Sequence, residues 1–406
     1  MKYKRLRAAL WTLGLLLFLA LARDFLANGR PLYCRIDGET FFPGLRTVWA
    51  DEKKPYGNPV LDSLYTYNLW KKFPYESSVF APVPFSPGDF SDRPSCISQP
   101  PGTVQPEHDK RFRHWLGTDD SGRDVAAGII SGARIAILTG LLAMFVALSI
   151  GLVLGSIAGF FGDDRLRVRR GRLMMNFIGI FFGIFYAFVV REYAMKGSES
   201  AGEGMKSIGI FIGILLFFNL LGWLANRIPF FSKTMLIPAD LLIMRLAEVF
   251  NSIPKLIFII AIAAMMPQNR SLWVMIGLIG ALSWTGVAQF IRAELLRIRT
   301  LEYVTAARSL GYSDARTLLR HALPNALRPV MVAFALGIAG AILLEAALSF
   351  LGISDETLKG MSWGSLLNSA RSNLRFWWIA VPPGLAICIT VMALNAVGDA
   401  LSERIK

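Results

Sequence analysis

Apolar residues run along this chain in long stretches, at about 8–27, 132–161, 173–191, 208–225, 239–266, 272–291, 329–351 and 379–398. Crossing a bilayer as a helix takes about 20 such residues, because a backbone without water must satisfy its hydrogen bonds internally. None of the eight alternates apolar and polar positions as a barrel strand does, so each is predicted to be a helix. Residues 29–130 look different. They are rich in proline, aromatic and turn residues, as in FAPVPFSPGDF and SQPPG, and predict short strands and turns with few helices. The pattern predicts an all-α polytopic membrane protein of about eight transmembrane helices with a loop-rich exported segment.

Composition agrees: 54% of the 406 residues are hydrophobic, more than a soluble domain carries. The net charge of +14 changes the picture only through its location. Acids and bases nearly balance in 29–130, and the excess lies in short loops: Lys2, Lys4, Arg5 and Arg7; Arg165, Arg167, Arg169, Arg170 and Arg172; and a run from Arg292 to Arg328. Short loops rich in Lys and Arg stay in the cytoplasm. Both termini, 162–172, 226–238 and 292–328 are therefore predicted inside, and 29–131, 192–207, 267–271 and 352–378 outside. The basic balance reads as topology in a lipid bilayer, with no nucleic-acid partner. The first stretch also fits a cleaved signal peptide ending Ala20-Leu21-Ala22, but apolar character resumes at Phe25 and Leu26, which favours a retained span.

The predicted divisions are an N-terminal transmembrane helix (1–28), an exported segment (29–131) and a transmembrane domain (132–406). The last holds an inserted pair of spans within 162–236, MNFIGIFFGIFYAFVV and IGIFIGILLFFNLLGWLA, whose nearly unbroken apolar composition suits lipid contact. In the stretch 239–266, Arg245, Glu248, Ser252 and Lys255 recur every three or four residues with Asn251 beside them, and Pro254 is expected to kink the helix. Charges at membrane depth face an interior or a wet cavity; alternatively Arg245 and Glu248 sit at the interface and Lys255 snorkels. Three cysteines occur, without a C-x-x-C pair. Cys34 and Cys96 share the exported segment, where a disulfide between them is permitted. No H-E-x-x-H motif or Cys/His cluster is found, so no metal is predicted.

The loop 292–328 contains EYVTAARSLGYSDARTLLRHALPNALRPV, residues 302–330. Gly311 suits a left-handed helix stop, Ser313 with Asp314 a fresh N-cap, and Pro324 and Pro329 are expected to end the second run before the next span. The result is a helix, a sharp turn and a second short helix. Such an element can lie on lipid as a basic amphipathic helix, but small Ala306, Ala307 and Ala315 around a compact turn favour docking into a groove of a partner.

This passage resembles, at Glu302, Ala306, Ala307, Gly311, His321, Leu323, Pro324 and Asn325, the EAA loop of bacterial ABC importer permeases. HWLGTDDSGRDVAAGIISGARIAILTG (114–140), LLIMRLAEVFNSIPKL, EAALSFLGI (345–353), Trp363-Gly364, Asn395 and Gly398-Asp399 are similar to the C-type subunit of the dipeptide/oligopeptide/nickel branch. The resemblance implies half of a translocation path in a bacterial inner (cytoplasmic) membrane, with no catalysis of its own, for peptides or for nickel or another small solute. It implies partner ATP-binding subunits, a second permease subunit and an extracytoplasmic substrate-binding protein, with ATP used by partner subunits and no cofactor bound by this chain. The loop residues Glu302, Ala306, Ala307, Leu310, Gly311, Tyr312, Ser313, Asp314, Arg316, His321 and Pro324 would then couple the ATPase, and Arg245, Glu248, Asn251, Lys255 and Glu345 are candidates for the path. The inserted pair departs from the family's six-span pattern, and the exported segment is longer than a dipeptide permease needs; a long exported region resembles the branch for longer peptides. A different class, an ion- or proton-coupled secondary transporter, would use Arg245, Glu248 and Lys255 as coupling groups.

Two sequence signatures bear on enzymatic activity. Gly360-Met361-Ser362-Trp363-Gly364 fits the G-x-S-x-G nucleophile elbow, which needs a preceding strand and a nearby histidine, and only His108 and His114 are predicted on its side of the membrane. No G-x-x-x-x-G-K-[ST] loop exists, so the chain does not supply an ATP site by that route.

Overall fold

A computed structural model describes residues 2–46, 56–89, 96–104, 112–191, 201–264, 271–353, 360–371 and 375–405, and His108 lies outside them. The chain divides into two compact units, Met1–Gly155 with Ala247–Lys406, and Ser156–Leu246.

The first unit begins with α1 (Lys2–Leu21), which packs along the final helix α12 (Trp377–Ile405). A small subdomain of short strands and turns follows. Strands β1 (Tyr33–Ile36), β2 (Glu39–Phe41) and β3 (Ser77–Val79) form an antiparallel sheet in the order β2-β1-β3. The turn between β1 and β2 is Asp37-Gly38, both at positive φ. Helix α2 (Pro59–Thr66) closes over the sheet: Asn58 caps it by accepting from the Val60 and Leu61 amides, and Pro59 supplies a preset first turn. Cys34, Ile36, Leu61, Leu64 and Trp70 are its buried core. A second ribbon pairs β4 (Thr103–Val104) with β5 (Arg113–His114).

The long helices of this unit are α3 (Val125–Ser156), α8 (Leu272–Ile298), α10 (Leu323–Phe350) and α12, with the short α11 (Trp363–Ala370) wedged against α10 and α12. Small residues let their backbones approach closely, the packing device of membrane bundles. A Cβ at Gly280 of α8 would lie 2.6 Å from the Ala143 carbonyl of α3, and one at Gly155 of α3 would lie 2.6 Å from the Ala288 carbonyl of α8. Gly140 of α3 likewise meets Ile338 and Ile342 of α10. Trp363 is fully buried, and its indole N–H donates to the Ile129 carbonyl at 3.0 Å.

The second unit is a helical pair with a ribbon. Strands β6 (Arg167–Arg169) and β7 (Thr234–Leu236) are antiparallel, Arg167 opposite Leu236 and Arg169 opposite Thr234. Helix α4 (Arg170–Ile184) starts directly from β6, continues as a π-helical turn through Val190, and packs on α5 (Ala201–Ala225). Gly179 lies against Phe218 and Gly183 against Phe211, and the Asn219 amide donates to the Asn176 carbonyl at 3.2 Å. The outward faces carry Phe177, Phe181, Leu216 and Phe217, all exposed.

Among the described residues, five helical segments are long and apolar enough to cross a membrane: Val125–Phe161, Lys206–Ala225, Leu272–Ile298, Asp314–Phe350 and Trp377–Glu403. A bent pair of helices passes the same test only when its two parts are taken together. Helix α6 (Ala239–Ser252) and α7 (Lys255–Ala264) meet at 80°. The other two predicted stretches are occupied by helices α1 and α4, which are not among these, so the all-helical polytopic reading holds with five to six candidate spans where eight were expected.

Two expectations are corrected here. Cys34 and Cys96 are not bonded to each other. Cys34 is enclosed by the sheet-and-helix core, whereas Cys96 is buried outside that cluster, its carbonyl accepting from the Thr118 hydroxyl. Spacing along a segment of this length says nothing about which side chains its folding brings together. Pro324 and Pro329, expected to end a cytoplasmic helix, do not: Asp314 to Phe350 is one continuous span. Pro324 is accommodated within this helix because a π-helical turn at Leu318–Ala322 widens the coil just upstream of its ring.

Candidate functional site

The most exposed apolar side chain between the last long helices is Leu310, 76% accessible at the end of α9 (Glu302–Ser309). Its position follows from a helix stop. The Gly311 N–H donates to the Arg308 carbonyl at 2.9 Å and the Tyr312 N–H to the Ala307 carbonyl at 3.2 Å, the double closure of a Schellman motif. Gly311 sits at φ +82°, a conformation in which an L side chain is strained although no atom lies within 4 Å of where its Cβ would be. The chain then restarts at once, because the Ser313 hydroxyl accepts from the Arg316 amide.

Side chains fasten the two arms. Arg308 pairs with Asp314 across the turn, Nε to Oδ1 at 3.2 Å. The Tyr312 and His321 rings stack at 5.8 Å and 9°, with Arg316 over the Tyr312 ring at 5.7 Å. The Asn325 amide donates to the Tyr303 hydroxyl and to the His321 carbonyl. Val304, Ala307, Thr317 and Leu318 are buried beneath, while Glu302, Ala306, Leu310, Gly311, Tyr312, Ser313, Arg316 and Pro324 are exposed and Asp314 and His321 are half-buried. The arrangement presents a rigid knob of mixed apolar and basic character on a helix running straight into α10.

The candidates for a path are not gathered into one face. Arg245 and Glu248 are exposed on α6, Arg245 in the unit ending at Leu246 and Glu248 in the other. Lys255 lies beyond the break, so the expected four-residue stripe ends at Ser252: Pro254 does not merely kink the helix but separates two. Asn251 accepts from the buried Thr285 hydroxyl of α8 at 2.9 Å. Glu345 is 5% exposed, taking the Ser349 hydroxyl at 2.6 Å on its own helix. This geometry disfavours Arg245, Glu248 and Lys255 as one ion-coupling group.

At the other end of α3, Asp124 caps the helix by accepting from the Ala127 amide at 2.7 Å and pairs with His114 Nδ1 at 2.7 Å. The pair is wholly buried, and Phe85 stacks on His114 at 3.9 Å with the Lys71 ammonium 3.5 Å over its ring. Burial pulls the Lys71 pKa down to about 8, against the attraction of Asp89 and Asp124. Asp119 ties the preceding corner, accepting from Arg123 Nε at 2.8 Å and from the Ser121 and Arg123 amides. Burial pushes its carboxyl above the ordinary value, while Arg123 pulls it down. These Asp residues are thus helix-start and corner residues. The His114–Asp124 pair escaped sequence reasoning, since a spacing of ten carries no periodic signal. Ser362 is a cap as well: its hydroxyl accepts from the Ser365 amide in a reciprocal capping box, which accounts for the G-x-S-x-G match.

Residues 209–406, containing the knob, α8, α10 and α12, match the family of binding-protein-dependent transport system inner membrane components. Over that segment the chain is similar to these importer permeases. The chain is 25% identical over 409 residues to the peptidoglycan transport system permease protein YejE of Agrobacterium fabrum, covering 97% of this chain and 87% of the relative. It is 24% identical over 398 residues to the inner membrane ABC transporter permease protein YejE of Escherichia coli, covering 97% and 91%. The oligopeptide transport system permease protein OppC of Bacillus subtilis is 27% identical over 330 residues, covering 81% and 80%. The YejE alignments leave too few residues outside them for 29–131 or 162–236 to fall beyond the aligned range, so the two segments that depart from a six-span dipeptide permease lie within the range shared with these relatives. The permease is a multi-pass inner-membrane transport subunit of an ABC importer, a class that works with separate ATP-binding subunits and a substrate-binding protein.

Proposed function

We propose that this permease imports peptides and that the knob around Gly311 is where a partner ATPase drives it. The observation carrying the proposal is Leu310, exposed at the tip of a turn that hydrogen bonds, a stack and an ion pair hold rigid. An exposed leucine at a rigid tip suits insertion into a cleft of a partner, where burial of its side chain is worth roughly 1.5–3 kcal/mol. The knob is continuous with α10 and one turn from the end of α8, so its displacement tilts both helices. The peptide substrate is supported by relatives whose names specify oligopeptide and peptide transport.

In this reading both termini and the knob face the cytoplasm, and a second permease chain completes the path as a heterodimer. ATP is bound and hydrolysed by the partner subunits, and this chain binds no cofactor. A binding protein delivers substrate from outside, ATP closes the partners, and the bistable bundle alternates access. The chain supplies docking surfaces and no covalent chemistry. Co-purification tests it: the ATP-binding subunit should be recovered with the wild-type permease and lost with Leu310→Asp, and equal recovery with both would overturn the role of the knob. Peptide uptake should stop when ATP is depleted with the proton gradient intact; continued uptake would overturn the energy source.

A further inference from the structure

The unit Ser156–Leu246 holds a polar end that the transport reading does not use. The apolar body of α4 begins at Leu173 and that of α5 ends at Ala225, and between those points the chain forms the β6–β7 ribbon. Seven cations belong to this end, Arg165, Arg167, Arg169, Arg170, Arg172, Arg227 and Lys233, against the acids Asp163, Asp164 and Asp240. Asp163 is occupied in part by accepting from the Leu241 amide.

The ribbon is largely exposed among the described residues. Arg167 and Arg169 stand opposite Leu236 and Thr234, and directly opposed residues share a face. All of β7 is exposed, with Met235 at 43% and Leu236 at 51%, and Ile228 and Phe230 beside it are exposed too. A lone two-stranded ribbon is marginal in water, so a ribbon with both apolar and basic side chains outward calls for a surface offering both hydrocarbon and negative charge. Trp223, half-exposed under Arg227 at 5.2 Å, is the amphipathic aromatic that favours the headgroup level.

Two buried polar atoms add to this. The Arg170 Nε has no hydrogen-bond partner among the described residues, nor has the Asn226 side-chain carbonyl. Asn226 is only 7% exposed and lies against Gly171, where a Cβ would come within 2.7 Å of its oxygen. A guanidinium with an unfilled donor beside other arginines matches the oxygens of a phosphodiester, which it binds through paired N–H groups. An amide that exchanges its two ends can turn its NH₂ the same way.

We propose that the β6–β7 ribbon, with the adjoining ends of α4 and α5, is a binding surface for the headgroups of anionic phospholipids. Arg167, Arg169 and Lys233 collect the phosphates, Arg170 takes one of them at the base of α4, and Met235, Leu236 and Phe230 enter the acyl boundary. The surface is thereby specific for negative lipid over zwitterionic lipid, and it pins this helical pair to one depth.

The full-length permease, purified in mild detergent, is exchanged into bilayer discs of phosphatidylcholine with or without phosphatidylglycerol. Bound lipid is then counted by native mass spectrometry. Wild-type protein should retain phosphatidylglycerol preferentially. Arg167→Gln with Arg169→Gln should cut that preference by about fivefold for each arginine removed. Arg167→Lys with Arg169→Lys should keep most of it. The three proteins should elute as the same monodisperse species, since the replaced side chains are exposed. Equal retention of the two lipids, or a preference unaltered by the Gln pair, would overturn the proposal. So would displacement of the lipid by inorganic phosphate, which would mark a small-anion site, or by a short nucleic acid.

Discussion

Replacement of Gly311 separates backbone strain from contact. At φ +82° with open space around the Cβ position, an added side chain meets nothing in this chain, so the whole penalty is conformational. An alanine there costs about 1–2 kcal/mol, a β-branched valine more, and an asparagine less, because its short polar side chain tolerates left-handed backbone. The strain is relieved by opening the Gly311–Arg308 and Tyr312–Ala307 hydrogen bonds, which releases Leu310 and the Tyr312–His321 stack from their fixed positions. A loss of 1–2 kcal/mol from the docking geometry lowers the coupled population by about 5–30-fold. Uptake driven by ATP in vesicles containing the assembled importer should therefore fall in the order Gly311, Asn, Ala, Val, with membrane insertion unchanged throughout. If Asn is as damaging as Val, size against a partner and not backbone strain governs the site. If Val is harmless, the turn has no part in coupling.

Other consequences are nearer the structure. Lys71 holds its proton to 10.5 when unfolded but only to about 8 when folded, so at pH below 8 it costs folding at most about 3 kcal/mol. Both states are charged there and the penalty is complete. Between pH 8 and 10.5 the unfolded chain holds more protons, and stability rises. Lys71→Met should thus raise the melting temperature at neutral pH, and its advantage should shrink toward pH 10; a constant advantage would refute the assignment. Gly364→Ala would press a methyl onto the Ala346 carbonyl and Ser349, and should cost about 1–3 kcal/mol of stability in thermal melting, with no loss counting against the tight α11–α10 contact. Non-reducing electrophoresis should show the same mobility for wild type, Cys34→Ser and Cys96→Ser; a shift in either variant would show a bond the structure lacks.

The long apolar stretches were legible because hydrocarbon demands length and leaves composition as a direct trace. Gly311 and Ser313 were legible for a local reason: stop and start signals act within a turn. Pro254 was half legible, since a proline announces a disturbance but not whether the helix bends or breaks, which neighbouring helices decide. The β6–β7 ribbon joins segments more than sixty residues apart in the chain, and its strands of three residues each are too short for an alternation to announce them. Helix α2 was missed for being short, although Asn58-Pro59 is a recognisable start. The Cys34–Cys96 expectation failed because redox compartment permits a bond without bringing thiols together.

The glycine contacts between α3 and α8 have a mechanical meaning. Where main chain rests on main chain, as at Gly280 with Ala143 and Gly155 with Ala288, no side-chain cushion can yield between the two rods. On the coupling proposed above, a push on α8 would carry α3 with it, as a connecting rod carries its crank. At 1.5 Å per residue the 32 residues of α3 reach about 48 Å, from the glycine contacts with α8 to Asp124 and His114 at the far end.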